Sequence, residues 1–401
     1  MENLSDITKE LFLNTPDNVT GVWIGFKQKG GIVSDEISVI FNVKEKLPLN
    51  LIPENERLPN EMVISGTTFK TDVISQKFTI IQEECPSDFY TWQTIPPPNQ
   101  NKIRPLQGGL QITNYTTSSD SFGTMGFIAE DTETNSLVGV TNNHVIIEDA
   151  FINSERNFSS PITNTLNNLI IQPSTGSTDG IGVVKRYYPI YKTTGTNYID
   201  AALLTLNSVD INNTTSYRQY NVTGWTQSLE FATTSEINNL LTTYPNLFSS
   251  GARTGSKGEG EMKLLPYAIN VTQAVGGYNR QETTLDVDFS DCIVFVASGA
   301  STPSGFICRY PIAPGDSGSA LVANIGGTRK IIGLCFASSE AFGVANRIDR
   351  VASLLNIRPW TGQTTNFSDT GNTQTVSYFG SRTDITKSIS GNTYWQVGGI
   401  L

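Results

Sequence analysis

The sequence predicts a mainly β fold. Short apolar runs recur along most of its 401 residues, bounded by Gly, Asn, Asp or Thr, the pattern of antiparallel sandwiches and barrels. Charged residues make up only 16% of the chain, and Thr, Ser, Asn and Gly abound, as in β-rich proteins with many turns. Helical spacing is confined to a few short stretches. A chain of this length predicts two or three domains and has ample surface to bury in a core.

Taken in order, residues 5–13 place Ile7, Leu11 and Phe12 near helical period and predict a short amphipathic helix. Residues 19–27 alternate as a strand, turn through Gln28, Lys29, Gly30 and Gly31, and lead to a second strand at 37–43. The stretch 44–59 is Pro-rich and irregular, and a single third strand is read through Gly66 over 62–74. Residues 1–85 therefore read as a small N-terminal α+β module. A linker at 86–105 follows, where Pro96, Pro97 and Pro98 favour a stiff, extended chain. Strand-like runs then recur at 123–128, 170–173, 181–187, 203–206, 262–269, 292–297, 320–323 and 330–336. Helical stretches interrupt at 235–241 and at 346–355, where Ile348, Val351, Leu354 and Leu355 share a face. The last segment, 358–401, is rich in Thr, Ser, Gly and Asn and is expected to form a β-rich extension. Chain ends fray unless docked, so a homo-oligomer or larger assembly is expected to tie it down.

Composition narrows the function classes. Lys and Arg number 27 against 37 Asp and Glu, a net charge of −10, and no stretch concentrates positive charge. A nucleic-acid partner is therefore not expected. No apolar run reaches the roughly 18 residues of a membrane span. The first six residues are acidic and lack an apolar core, so no secretory signal is expected and a cytoplasmic or virion-associated location is. The Asn-X-Ser/Thr sites, such as Asn18, Asn221 and Asn270, then carry little meaning. Cys85, Cys292, Cys308 and Cys335 show no metal-ligand spacing, and three of them read as small buried hydrophobes. A disulfide between Cys292 and Cys308 is left open.

The stretch that carries chemistry is Pro314-Gly315-Asp316-Ser317-Gly318-Ser319, followed by the apolar Ala320-Leu321-Val322. Gly315 and Gly318 permit a tight turn that β-carbons would crowd. Such a turn can aim the amides of Gly315 and Ser317 at one point, where an oxyanion would develop. An ordinary turn is the competing reading. The chain has one histidine, His144, where an apolar run breaks into Asn142 and Asn143. By itself it reads as a packed core or surface residue. Asp200 opens the small-apolar run Ala201-Ala202-Leu203-Leu204, 56 residues after His144 and 117 before Ser317. A strand-edge acid is its bland alternative.

Together these three segments resemble trypsin-like serine peptidases. That family has a Gly-Asp-Ser-Gly nucleophile segment, a histidine at the end of a strand, and an Asp-(Ile/Ala)-Ala-Leu segment, in the order His, Asp, Ser. The resemblance implies two antiparallel six-stranded β-barrels of the chymotrypsin/trypsin type over 106–357, with His144, Asp200 and Ser317 as a triad at their junction. A closer likeness is to bacterial and plant members with a small N-terminal α/β module. Its motifs stand at 19–27, at Lys46-Leu47-Pro48, at 71–74 and at Arg104 to Gly109, and again at Gly123, 142–145 and 170–173. The likeness spans about 10–357. One departure is Gly251-Ala252-Arg253-Thr254-Gly255, where the family often has Gly-Arg-Thr-Thr-Gly, and it leaves that loop's geometry open.

What the resemblance implies is hydrolysis of a peptide or protein substrate without metal or organic cofactor. His144 is the general base, Asp200 its orienting partner and Ser317 the nucleophile, with the Gly315 and Ser317 amides as oxyanion hole. Pro311, Phe336, Ala337 and Ser338 are expected to line the substrate pocket. Pro311 stands six before the nucleophile, and with no acid there a small or apolar residue is preferred over Arg or Lys. Activation has two expected routes. In one, a freed amino terminus near Leu106 pairs with Asp316, and 1–105 is a pro-segment. In the other, favoured by the absent signal, the chain stays intact and Asp316 is satisfied internally. The alternative function is a structural or peptide-binding component of a larger assembly, built on an inherited peptidase fold.

Overall fold

The structure, a computed structural model, describes residues 4–29, 32–80, 98–115, 122–147, 151–152, 169–173, 180–188, 190–191, 197–212, 214–220, 230–258, 263–277, 286–298, 311–339 and 341–362. The extension after 362, Cys85, Cys308 and the linker before residue 98 lie outside these residues.

Two closed rings of strands dominate. In the first, Leu110–Asn114 pairs with Gly123–Met125, which continues through Gly126 into Phe127–Asp131 as one bent strand. Ser136–Thr141, Ala202–Thr205, Gly180–Tyr187 and Leu169–Ile171 follow, and the last pairs back to Leu110–Asn114. The second ring runs Leu247–Gly251, Ala320–Ile325, Thr328–Ser338, Phe342–Arg347, Val287–Ser298 and Lys263–Val275. Leu247 opposite Leu264 closes it. Each ring thus has six strands, and every pairing within them is antiparallel. The mainly β, two-barrel architecture expected from the sequence is what the chain forms.

Alternating side chains explain why the strands close as they do. In Ser136–Thr141, Leu137 points into the first barrel, whereas Val138 and Val140 join the layer between the barrels. Ala202 and Leu204 face inward in the same way, while Ala201 and Leu203 face the second barrel. The shared layer also takes Ala320, Leu321 and Leu334 of the second barrel, and Ile348, Val351 and Leu355 of the helix Ile348–Leu355. Both faces are covered, so the strand Ser136–Thr141 is buried throughout.

The N-terminal strands are an extension of the second barrel's sheet. Val19–Lys29 pairs with the outer part of Lys263–Val275, with Gly21 opposite Gln273 and Gly25 opposite Ala268. Ile32–Val43, Thr67–Ile74 and Glu61–Ile64 continue outward. The helix Leu4–Leu13 covers this extension with Ile7, Leu11 and Phe12, and its Thr8 hydroxyl donates to the Asn270 carbonyl at 2.7 Å. The single strand read over 62–74 is instead a hairpin, because Ser65 and Gly66 both take positive φ. The helix read at 235–241 is two short ones, Thr234–Asn238 and Leu240–Thr243, joined at Asn239. Cys292 and Cys335 are buried free thiols, and burial pushes the Cys335 thiol up to about 12. No helix among the described residues is long and apolar enough to cross a membrane.

Candidate active site

Adjacent strands of the first barrel deliver the histidine and the aspartate. Thr141 lies opposite Ala202, so both chains leave the sheet at the same end. The chain then turns into the short helix Asn143–Ile146 and carries His144 across Asp200. Asp200 is fully buried. One of its oxygens, Oδ1, accepts from the amides of Asn143 at 2.8 Å and His144 at 3.2 Å. The other, Oδ2, lies 2.5 Å from His144 Nδ1. An ionised carboxylate can only accept, so Nδ1 carries the ring proton and Nε2 keeps its lone pair. Ser317 Oγ sits 2.8 Å from that Nε2 and donates to it.

Two side-chain amides, of Asn142 and Asn346, pin the Asp200 main chain, and a third, of Asn143, ties the turn to Tyr188. The Asn142 side chain donates to the Asp200 carbonyl at 2.6 Å, and Asn143 donates to the Tyr188 carbonyl at 2.7 Å. Asn346, from the second barrel, accepts from the Asp200 amide at 2.9 Å. In the sequence Asn142 and Asn143 mark only the end of an apolar run, and nothing local marks Asn346.

Ser317 stands on a loop. Gly318 takes φ +89°, and a β-carbon there would lie 2.2 Å from the Thr124 carbonyl oxygen and 2.3 Å from the Thr141 hydroxyl. Gly315 has φ +97°, and its β-carbon would lie 2.5 Å from the Phe122 ring. Thr124 ties the loop to the first barrel: its hydroxyl donates to the Gly315 carbonyl at 2.8 Å, and its amide to the Ser317 carbonyl at 2.7 Å. The amides of Gly315 and Ser317 have no acceptor among the described residues.

Beside the serine, the Asp316 carboxylate has four donors. They are the amides of Arg253 at 3.0 Å, Thr254 at 3.0 Å and Ala313 at 2.9 Å, and the Thr254 hydroxyl at 2.7 Å. The altered Gly251 to Gly255 segment is therefore the cradle for this acid. Gly251 is required there, since a β-carbon would lie 2.2 Å from Asp316 Oδ1.

The four expected pocket residues have different surroundings. Pro311 is buried, and its carbonyl accepts from the buried Lys257 ammonium at 3.0 Å. Phe336 packs its ring on Phe289, with centroids 4.8 Å apart, in the apolar layer under the N-terminal strands. Ala337 and Ser338 sit at the end of their strand, opposite Ile80 and Thr79.

Compared with known families and with curated proteins, the sequence matches none. Among solved structures it is similar to a Cellulomonas bogoriensis chymotrypsin, at 14% identity and a TM-score of 0.36, over 64% of this chain and 98% of that one. The architecture described above rests on the strand pairings and not on that likeness.

Proposed function

We propose that this chain is a serine endopeptidase. One observation carries the reading: the only histidine bridges a buried carboxylate and a serine hydroxyl in one hydrogen-bonded line. In this mechanism His144 Nε2 takes the hydroxyl proton as Ser317 Oγ attacks a peptide carbonyl. The Gly315 and Ser317 amides, which have no acceptor among the described residues, receive the developing oxyanion. His144 then passes its proton to the leaving amine, and an acyl ester remains on Ser317. Water attacks that ester with His144 again as base, and the acid leaves as Oγ regains its proton. Asp200 stays ionised and stabilises the imidazolium.

The internal donors on Asp316 favour an intact chain over one that needs a freed amino terminus to order its serine loop. A fluorophosphonate probe tests the reading. Wild type should label on Ser317, and Ser317→Ala and His144→Ala should each lose activity by about 10⁶-fold in turnover. Folded wild-type protein that takes no label would remove the peptidase assignment.

A further inference from the structure

One edge of the strand Thr328–Ser338 passes directly beside Ser317. Along that edge Ala320–Ile325 pairs with residues 328–334. Cys335 continues the pairing, its amide donating to the Ser319 carbonyl and its carbonyl accepting from the Gly318 amide, both at 2.9 Å. The neighbouring chain there turns away to Ser317. Ala337 and Ser338 keep Phe342–Arg347 on their other side, opposite Val344 and Gly343. On the side that the serine loop has left lie Ile80 and Thr79, antiparallel, opposite Ala337 and Ser338.

This segment is firmly seated. The Ile80 amide donates to the Gly276 carbonyl and the Gly276 amide to the Phe78 carbonyl, both at 2.9 Å. Phe78 and Ile80 are 2% and 1% exposed, and Phe78 meets Trp23 edge-on at 6.4 Å. The Ser339 hydroxyl donates to the Gln76 side chain at 3.1 Å.

An unpaired strand edge is the natural receptor for an extended peptide, which joins it through main-chain hydrogen bonds. A peptide added antiparallel from Ser338 toward Cys335 runs toward Ser317, as a scissile carbonyl must. Thr79 and Ile80 have that direction and occupy that edge. We propose that residues 78–80 are an intramolecular competitor for the edge an extended peptide substrate needs. The N-terminal region then excludes long substrates while leaving the His144–Ser317 pair competent. This inference rests on the peptidase reading.

Two reagents separate the two ideas. A small fluorophosphonate needs only Ser317 and His144, whereas a tetrapeptide anilide also needs the strand edge. Thr79→Pro disfavours strand pairing. It should label at the wild-type rate and cleave the anilide faster by about tenfold or more. Equal anilide cleavage by both proteins, with both labelled, overturns the competitor and spares the peptidase. Absence of label in folded wild type removes both. If Thr79→Pro does not fold, wild type decides. Lengthening a peptide boronate from one residue to four should tighten binding less than about threefold if the edge is taken, and a gain of about tenfold or more overturns the inference.

Discussion

The two barrels hold their halves of the proposed site by different means. In the first, strand register does the positioning. Thr141 and Ala202 are paired neighbours, so His144 and Asp200 emerge together, and backbone amides fix the carboxylate. In the second, Ser317 lies off the sheet on a loop, where one buried carboxylate, Asp316, gathers four donors beside the bonds that Thr124 and Cys335 make to the loop's main chain. Bonds spread along a strand register tolerate local loss better than four bonds gathered on one side chain.

Asp316→Ala should show this most strongly. It leaves three amides and a hydroxyl without their acceptor, a loss of about 3–5 kcal/mol, since each bond to a charged acceptor contributes about 1.5–3 kcal/mol and such losses do not add in full. Urea unfolding reads that loss, and labelling of Ser317 should fall by at least about 100-fold, a cost in line with a displaced oxyanion donor. Wild-type stability and labelling in this variant would erase the contrast between the barrels.

Arg186→Met is the counterpart in the first barrel. The Arg186 guanidinium donates to Asp131 at 3.1 Å, Glu133 at 2.6 Å and the Leu355 carbonyl at 2.6 Å, and its side chain is 3% exposed. Its removal should cost about 3 kcal/mol, with Lys185 still beside Asp131. Labelling of the folded fraction should stay at the wild-type rate, because the site depends on register.

Gly318→Ala probes the serine loop without touching a charge. Backbone strain alone should cost about 1–3 kcal/mol. The crowded Thr124 carbonyl should also shift Ser317, so labelling falls more than stability does. Asn346→Ala is gentler: losing the link from the second barrel to the Asp200 amide should cost about 1 kcal/mol and slow labelling a few-fold.

Acid provides the smallest effect. Burial pushes the Asp131 carboxyl up, but Arg186 and Lys185 outweigh it and hold it below the usual carboxylate range. At Asp349 burial is likewise outweighed by the Arg347 guanidinium. Groups with a depressed folded-state pKa stabilise the fold above the ordinary aspartate value and lose that contribution as pH falls through the folded one. The urea midpoint should therefore drop as pH is lowered through and below the ordinary value of 3.8, and Arg186→Met should flatten that drop.

Much of this was legible in the chain because it is local. The turn glycines of 315–318, the lone His144 and the apolar run that ends before it are decided by neighbours in sequence. The Ser65–Gly66 turn was hidden because strand-forming residues stand on both sides of Gly66, so 62–74 read as one strand. Asn239 divides a helix whose spacing looks continuous. Non-local partners gave no signal: Asn346 meets Asp200 only after both barrels close, and Thr79 meets Ser338 only through the extended sheet. The Gly251 to Gly255 segment was visible as a departure, and its meaning needed Asp316 beside it.

The strand Lys263–Val275 belongs at once to a barrel and to the N-terminal strands, and this sets an order of events during synthesis. Thr8 meets Asn270 across 262 residues of sequence, and Asn42 meets Gln273 across 231. At about 5–20 residues per second, the ribosome delivers those partners about 10–50 s after the first strands have emerged. Through that interval the edge of Val19–Lys29 that faces Lys263–Val275 has no partner strand, so these strands complete their sheet only after the second barrel has been made.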